Sequence, residues 1–292
     1  MATQTPAPST APSAAPSVAP STAVGTAVGT APLVPRRSGG LTLHGWTALR
    51  GLPLDAWVTG RDTGNLALHV GDDADAVLAR RARLATAAGW DPADAVYAEQ
   101  THGRSVAVVT RADRGRGSLG RDDAFPATDA LVTRDPGVVL VVMVADCVPI
   151  VLYDPVRHAL ACVHAGWAGT VRGVTTAAVT ALRDLGSDPA DLVAGVGPSV
   201  APSRYRVGTE VADAARAAFG DRADDLLLPD GDQQWRFDLW RAAAVQLASA
   251  GLRPDRIHVA GLDTGPGTPF FSHRSEAPTG RFALVARLKE RS

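Results

Sequence analysis

The chain has 292 residues, enough for one large domain or two small ones, and its 46% hydrophobic fraction allows a substantial core. Its 29 basic and 30 acidic residues leave a formal charge of −1, which gives no support to a nucleic-acid or membrane-surface partner. Two cysteines, Cys147 and Cys162, exclude a disulfide framework and make reduced thiols the default. No run reaches the roughly 18 consecutive apolar residues of a spanning helix. The N-terminus lacks the early positive charge and apolar stretch of a secretory signal. Arg36-Arg37 reads as an ordinary basic pair, because the polar SGGLTLHGW follows it. The expectation is a cytoplasmic protein.

Residues 1–38 are almost entirely Ala, Pro, Ser, Thr, Val and Gly. Such a segment buries too little apolar area to offset its ordering entropy, so it is predicted to be a disordered tail. The folded region is predicted over 41–289 with no second linker. Alternation and β-branched runs predict strands at 56–59, 105–110, 138–144, 148–153, 159–163, 193–196, 257–260 and 282–286. Helical spacing predicts helices at 74–88, 170–185, 209–219 and 238–250. The last has Asp238 as N-cap and Gly251 as C-cap. The mixed-charge segment 111–125 reads as a solvated loop.

The continuous run VVLVVMV at 138–144 is expected to be covered on both faces, with 159–163 as its neighbour. YDPVRH supplies the turn between them. Two short antiparallel strands would leave Cys147 and His164 at opposite ends. If 148–153 is itself extended and pairs with 159–163, Cys147 at its start lies beside His164 at its partner's end.

Three residues stand out by their surroundings: His102 in EQTHG, Cys147 in VADCVP and His164 in VHAGWAG. Two imidazoles and a thiolate suit one zinc ion with an open fourth position. From the residues alone the alternatives stay open. A histidine beside a strand is commonly a surface or hydrogen-bonded group, the reading given to His69, His158 and His258. Cys162, inside ALACV, reads as a small buried hydrophobe. Asp146 is either a partner of the ligands or a turn residue. Trp167 is either core or a wall of a pocket.

The segments EQTHGRSV, TDALVT, ADCVPIVLYDP, VHAGWAGTVRG, GPSV with YRVG, and FFSHR with TGR follow one another in this order. Together they resemble the laccase-domain family of bacterial proteins, over about 55–287. That family has been called multicopper polyphenol oxidase and is now regarded as one of zinc-dependent purine nucleoside phosphorylases with adenosine deaminase activity. The resemblance implies an α/β single domain, a mixed β-sheet sandwich flanked by helices. It implies His102, Cys147 and His164 as zinc-binding and catalytic positions, with purine nucleosides and inorganic phosphate as substrates. Asn65, Arg61 and Arg274 are the expected substrate or phosphate contacts, with Arg61 the weaker transfer because its loop looks shortened. Their structural alternatives are a turn-stabilising side chain for Asn65 and a salt bridge for Arg274.

The chain departs from the family at Ser203 or Arg204 and at Asp263, where members often carry cysteine, and at Arg80, where a helix carries asparagine. The missing cysteines weaken a copper cluster and leave the three-ligand site untouched. Two other readings remain: a copper-dependent polyphenol oxidase, and a cysteine hydrolase or amidase with Cys147 as nucleophile. A non-enzymatic module with a structural zinc would want a fourth ligand, which the sequence does not offer. The sequence is silent on oligomeric state, with a monomer as the working expectation.

Overall fold

The computed structural model describes residues 29, 30 and 32–291. Its core is a sandwich of two sheets. One has seven strands in the order Gly29–Thr30, Ile257–Val259, Val193–Val196, Val148–Asp154, Ala159–Ala165, Ala130–Thr133, Val106–Val108. The other has six, in the order Leu33–Ser38, Leu41–Trp46, Leu54–Thr59, Phe282–Leu288, Val139–Val144, Ala95–Val96. A small third sheet joins Arg206–Val207, Trp235–Phe237 and Leu227–Pro229. Pairings are mostly antiparallel, with parallel pairs such as Val193–Val196 against Ile257–Val259. This is the mixed α/β sandwich expected. Among the described residues no helix is long and apolar enough to cross a membrane.

Side-chain alternation assigns each strand face to a layer. Along Val139–Val144, Leu140, Val142 and Val144 face the seven-stranded sheet, meeting Val151, Tyr153, Leu160 and Cys162. Val139, Val141 and Met143 point the other way, into a cluster with Leu84 of the helix Ala74–Ala88. On the far side, Ile150, Leu152, Ala161 and Val163 pack against Val179 and Leu182 of the helix Val174–Asp184 and Leu247 of the helix Leu239–Ser249. Both central strands are therefore covered on both faces, which is why they read as unbroken apolar runs. Cys162 is fully buried, as expected.

The helices at Ala74–Ala88 and Thr209–Phe219 match their expected spans, and Leu239–Ser249 is capped by the Asp238 carboxylate as anticipated. The single helix expected over 170–185 is two, Trp167–Arg172 and Val174–Asp184. Gly173, at φ 84°, ends the first and opens the second, a left-handed conformation that glycine adopts without steric cost.

Two further expectations are corrected. The 138–144 run is not the sheet neighbour of 159–163. It lies in the other sheet, paired with Phe282–Leu288, while Val148–Asp154 is the hairpin partner of Ala159–Ala165. The chain crosses between sheets at 145–147, where Asp146 takes φ 84°. Burial on both faces hides this switch from an apolar pattern. The tail expectation of 1–38 lies outside the described residues over 1–28 and at 31. Its last part, Leu33–Ser38, pairs along its length with Leu41–Trp46, so ordered chain begins before Leu41.

Leu140 is fully buried between the sheets. Leu140→Ala is expected to cost about 2–5 kcal/mol of unfolding free energy. Urea titration should show a lower midpoint with an unchanged slope.

Candidate metal centre

His164 is the next-to-last residue of Ala159–Ala165 and lies opposite Pro149 in the hairpin register. It shares a strand face with Leu160 and Cys162 and so points between the sheets, where their interface opens. Cys147 occupies the crossover one residue before Val148–Asp154. The long hairpin thus brings Cys147 and His164 together, as the strand reading anticipated. His102 comes from a separate turn. Gln100 ties that segment to the edge of the six-stranded sheet. Its amide donates to the Met143 carbonyl (2.7 Å) and accepts from the Met143 N–H (2.8 Å), as a paired strand would.

The ligand atoms of His102, Cys147 and His164 all lie within 4.8 Å of one another. His102 Nε2 is 3.7 Å from Cys147 Sγ, and the two imidazoles meet edge-on with centroids 4.8 Å apart. His164 is buried, Cys147 half-buried and His102 exposed, so the cluster has a closed side and an open one.

One buried carboxylate organises this arrangement. Asp129 Oδ1 accepts from His164 Nδ1 (2.8 Å) and from the His102 N–H (3.0 Å). Its Oδ2 accepts from the N–H groups of Gly103 (2.6 Å) and Thr101 (3.3 Å). The His102 turn, with His102 itself at φ 58°, is thus wrapped around a carboxylate. Holding His164 through Nδ1 leaves its Nε2 free toward Cys147 and His102, the tautomer a metal ligand needs. Sequence reading quoted Asp129 only inside TDALVT. The available signal was an acid at the entrance of a fully buried strand.

Gly166 explains part of the HAGW segment. A Cβ there would sit 2.7 Å from His102 Cδ2 and 2.8 Å from Cys147 Sγ, so the two ligands close over a bare backbone. Asp146 is a turn anchor. Its carboxylate accepts from Thr264 Oγ1 (2.5 Å) and the Arg274 N–H (2.6 Å), fixing the backbone before Cys147.

The cluster forms one wall of a cavity of about 370 Å³. Trp167 and Tyr205 line it along with Met143 and Leu239, and the cationic side chains of Arg274 and Arg281 reach it. Neither guanidinium has a carboxylate partner among the described residues. Arg274 lies 5.1 Å above the Tyr205 ring, and Arg281 bonds only the carbonyls of Thr279 and Gly280. Trp167 borders the cavity and also packs against the helix-side core, so both readings of it hold. Arg281, Tyr205 and Gln100 were not singled out from the sequence.

Asn65 and Arg61 do not reach this cavity. Asn65 is spent on local bonds: its amide donates to the Ala67 carbonyl (2.9 Å) and Asp72 (3.1 Å), while its oxygen accepts from the N–H groups of Ala67 (3.0 Å) and Arg281 (2.9 Å). Arg61 pairs with Glu276 at 2.5 Å, donates to the Thr268 carbonyl and lies over Phe271. Asn65 thus follows its turn-stabilising alternative. Arg61 forms the kind of salt bridge weighed for Arg274.

Charge sets the chemistry of the cluster. Burial disfavours the Cys147 thiolate, but the charge of His164 and hydrogen bonds from His102 and His164 outweigh it and bring the thiol down to about 6. Burial likewise opposes a charged His164, yet Cys147 and Asp129 raise it to about 9. Without metal the pair is a thiolate–imidazolium between those limits. Two imidazoles and a thiolate suit a borderline or soft cation.

Fold and site together define a two-sheet α/β sandwich with a mixed histidine–thiolate centre at the mouth between its sheets. The chain belongs to the family described as multi-copper polyphenol oxidoreductase laccase, whose model matches residues 55–289. The resemblance read from its motifs is borne out. It is 37% identical over 230 residues to the purine nucleoside phosphorylase YlmD of Bacillus subtilis, covering 77% of this chain and 82% of that protein. Over 225 residues it is 40% identical to the purine nucleoside phosphorylase Rv2149c of Mycobacterium tuberculosis, covering 77% and 84%. The crystal structure of YlmD from Geobacillus stearothermophilus superposes with a TM-score of 0.82 at 30% identity, covering 87% of this chain and 97% of that one.

Gly166→Ala is expected to part His102 from Cys147 and weaken zinc binding at least tenfold, with the far-ultraviolet circular dichroism unchanged. Zinc titration against a competing chelator reads the affinity, and wild-type affinity would refute the packing argument. Metal uptake needs a thiolate at Cys147 and a neutral His164. From this pair, one proton leaves per metal between pH 6 and 9 and none above 9. Zinc affinity should therefore climb about tenfold per pH unit across that window and level off above it. Calorimetry in buffers of different ionisation enthalpy counts the protons.

Proposed function

We propose that this chain is a zinc-dependent purine nucleoside phosphorylase acting in the cytoplasm on adenosine, inosine, guanosine and methylthioadenosine, with adenosine deaminase activity at the same site. The observation that carries the reading is one cavity holding both a three-ligand cluster and two uncompensated guanidinium groups. The relatives named purine nucleoside phosphorylase support it.

His102, Cys147 and His164 would hold the zinc, and their fit rests on the donor set, the Asp129-fixed tautomer and the bare Gly166 backbone. The chemistry zinc supplies there is Lewis acidity. Phosphate needs cationic forks, and Arg274 and Arg281 present two in the same cavity. In phosphorolysis a phosphate oxygen bonds to ribose C1′ as the C1′–N9 bond breaks. The electron pair leaves with the purine, which takes up a proton. In deamination a water oxygen bonds to adenine C6 and ammonia departs. Tyr205 and Trp167 offer flat surfaces for the base. Asn65 and Arg61 take positioning roles in this reading. Asn65 holds the Arg281 backbone, and Arg61 ties down Glu276 in the His273–Glu276 turn that carries Arg274.

A second reading is favoured by one observation. Cys147 Sγ lies 3.7 Å from His102 Nε2 with His164 in the same cluster, which is also the pairing of a cysteine hydrolase or amidase. Metal analysis and chromatography of each nucleoside, with and without phosphate, separate the two. The expected result is close to one zinc per chain, phosphate-dependent release of free base and conversion of adenosine to inosine. Cys147→Ala should lose both metal and turnover. If that variant keeps both, the proposed centre is wrong. An acyl adduct on Cys147 would establish the hydrolase, and copper with phenol oxidation the oxidase.

A further inference from the structure

Behind the His102 turn, on the helical side of the seven-stranded sheet, lies a second and larger open cavity of about 590 Å³. The helices Trp167–Arg172, Val174–Asp184, Thr209–Phe219 and Leu239–Ser249 all contribute to it. Its size is that of a small-molecule site. Its lining combines three guanidinium groups, Arg104, Arg172 and Arg222, with the flat ring of Phe219. Two arginines on these helices that do not line the cavity are neutralised: Arg216 pairs with Asp213 and Arg241 with Asp225. Arg104 and Arg222 have no carboxylate partner among the described residues. Asp184 borders the same cavity, so acceptors for hydroxyl groups stand beside the cations.

We propose that this cavity binds a nucleoside phosphate, with Arg104, Arg172 and Arg222 around the phosphate, Phe219 against the base and Asp184 accepting from the ribose hydroxyls. Guanidinium forks match phosphate oxygens in pairs. The mixture of cations, an aromatic ring and a carboxylate fits a nucleotide better than a bare anion. The site also touches the metal centre. Arg172 Nη1 donates to the His102 carbonyl at 2.6 Å, and Gly103, between His102 and Arg104, packs its carbonyl against Gly169. A phosphate competing for Arg172 loosens the His102 turn, so nucleotide binding weakens the hold on metal and metal weakens the hold on nucleotide by the same factor. This coupling rests on the proposed metal role of His102, whereas the binding claim does not.

The test is calorimetric titration of the full chain with ADP, with inorganic phosphate and a single-stranded oligonucleotide as comparison probes. ADP should bind at one site, more tightly than phosphate. Arg222→Glu should weaken it about tenfold, the loss of one charge-assisted contact. Thr180→Trp, an exposed helix position lining the cavity, should block it without changing charge. Both variants should keep wild-type nucleoside turnover. No ADP binding, or ADP binding indifferent to both variants and abolished by Arg274→Ala, overturns the site. So does an oligonucleotide that outcompetes ADP and ignores Thr180→Trp. For the coupling, saturating ADP at fixed free zinc should weaken zinc binding in the wild type and leave it unchanged in Thr180→Trp. Equal zinc affinity with and without ADP removes the coupling and leaves the binding claim to stand on its own arm.

Discussion

Asp129 is the constraint on which the rest depends. It is almost fully buried, and among the described residues no arginine or lysine pairs with it. Its charge is met by His164 and by three consecutive backbone N–H groups. A buried carboxylate is tolerated only when its lone pairs are used, and here they are used to shape the site. One oxygen orients a ligand ring while both oxygens fold the turn that delivers the other histidine. The carbonyl of the same residue accepts from the His164 N–H at 2.8 Å, so side chain and backbone clamp one histidine twice. Two of the three remote segments that build the cluster are thereby tied to one residue.

The sandwich places this carboxylate and Cys147 at the same mouth. Strand Ala130–Thr133 begins just past Asp129 in one sheet, and Val139–Val144 ends just before the crossover in the other. The crossover must change layer within three residues, and Asp146 takes a left-handed conformation to do it. Such a conformation costs about 1 kcal/mol or more for a residue with a side chain. Thr264 and the Arg274 N–H, both on the Asp146 carboxylate, hold it there. The anchor that shapes the thiol's approach thus also fixes the segment carrying a cavity cation.

How much of this was legible follows from what each feature requires. Strong periodicity gave the helices Ala74–Ala88, Thr209–Phe219 and Leu239–Ser249 and most core strands, because one face or both must be apolar. The Cys147–His164 meeting was legible because a hairpin register is local geometry. The sheet switch at 145–147 was not, since a strand covered on both faces reads alike in either layer. Asn65 and Arg61 looked like ligand contacts because motif position does not say where a side chain points. Asp129 and Arg281 were hidden because their roles exist only through partners distant in the chain. His102 needed the family likeness for the same reason: no local pattern ties its turn to the hairpin.

The departures from the family's cysteine pattern bear on the metal. Arg204, one of the two positions read from the resemblance as a departure (Ser203 or Arg204), meets Asp263 in space. Arg204 donates to the Asp263 carboxylate at 2.7 Å and to the Thr264 carbonyl at 2.8 Å. The ion pair is half-buried. Thr264, next to it, still bonds Asp146, so the support of the Cys147 turn survives the exchange. A multi-copper centre needs more donors, and among the described residues only the one cluster of His102, Cys147 and His164 offers them. The family's description names several coppers, whereas this cluster offers the donors for one ion.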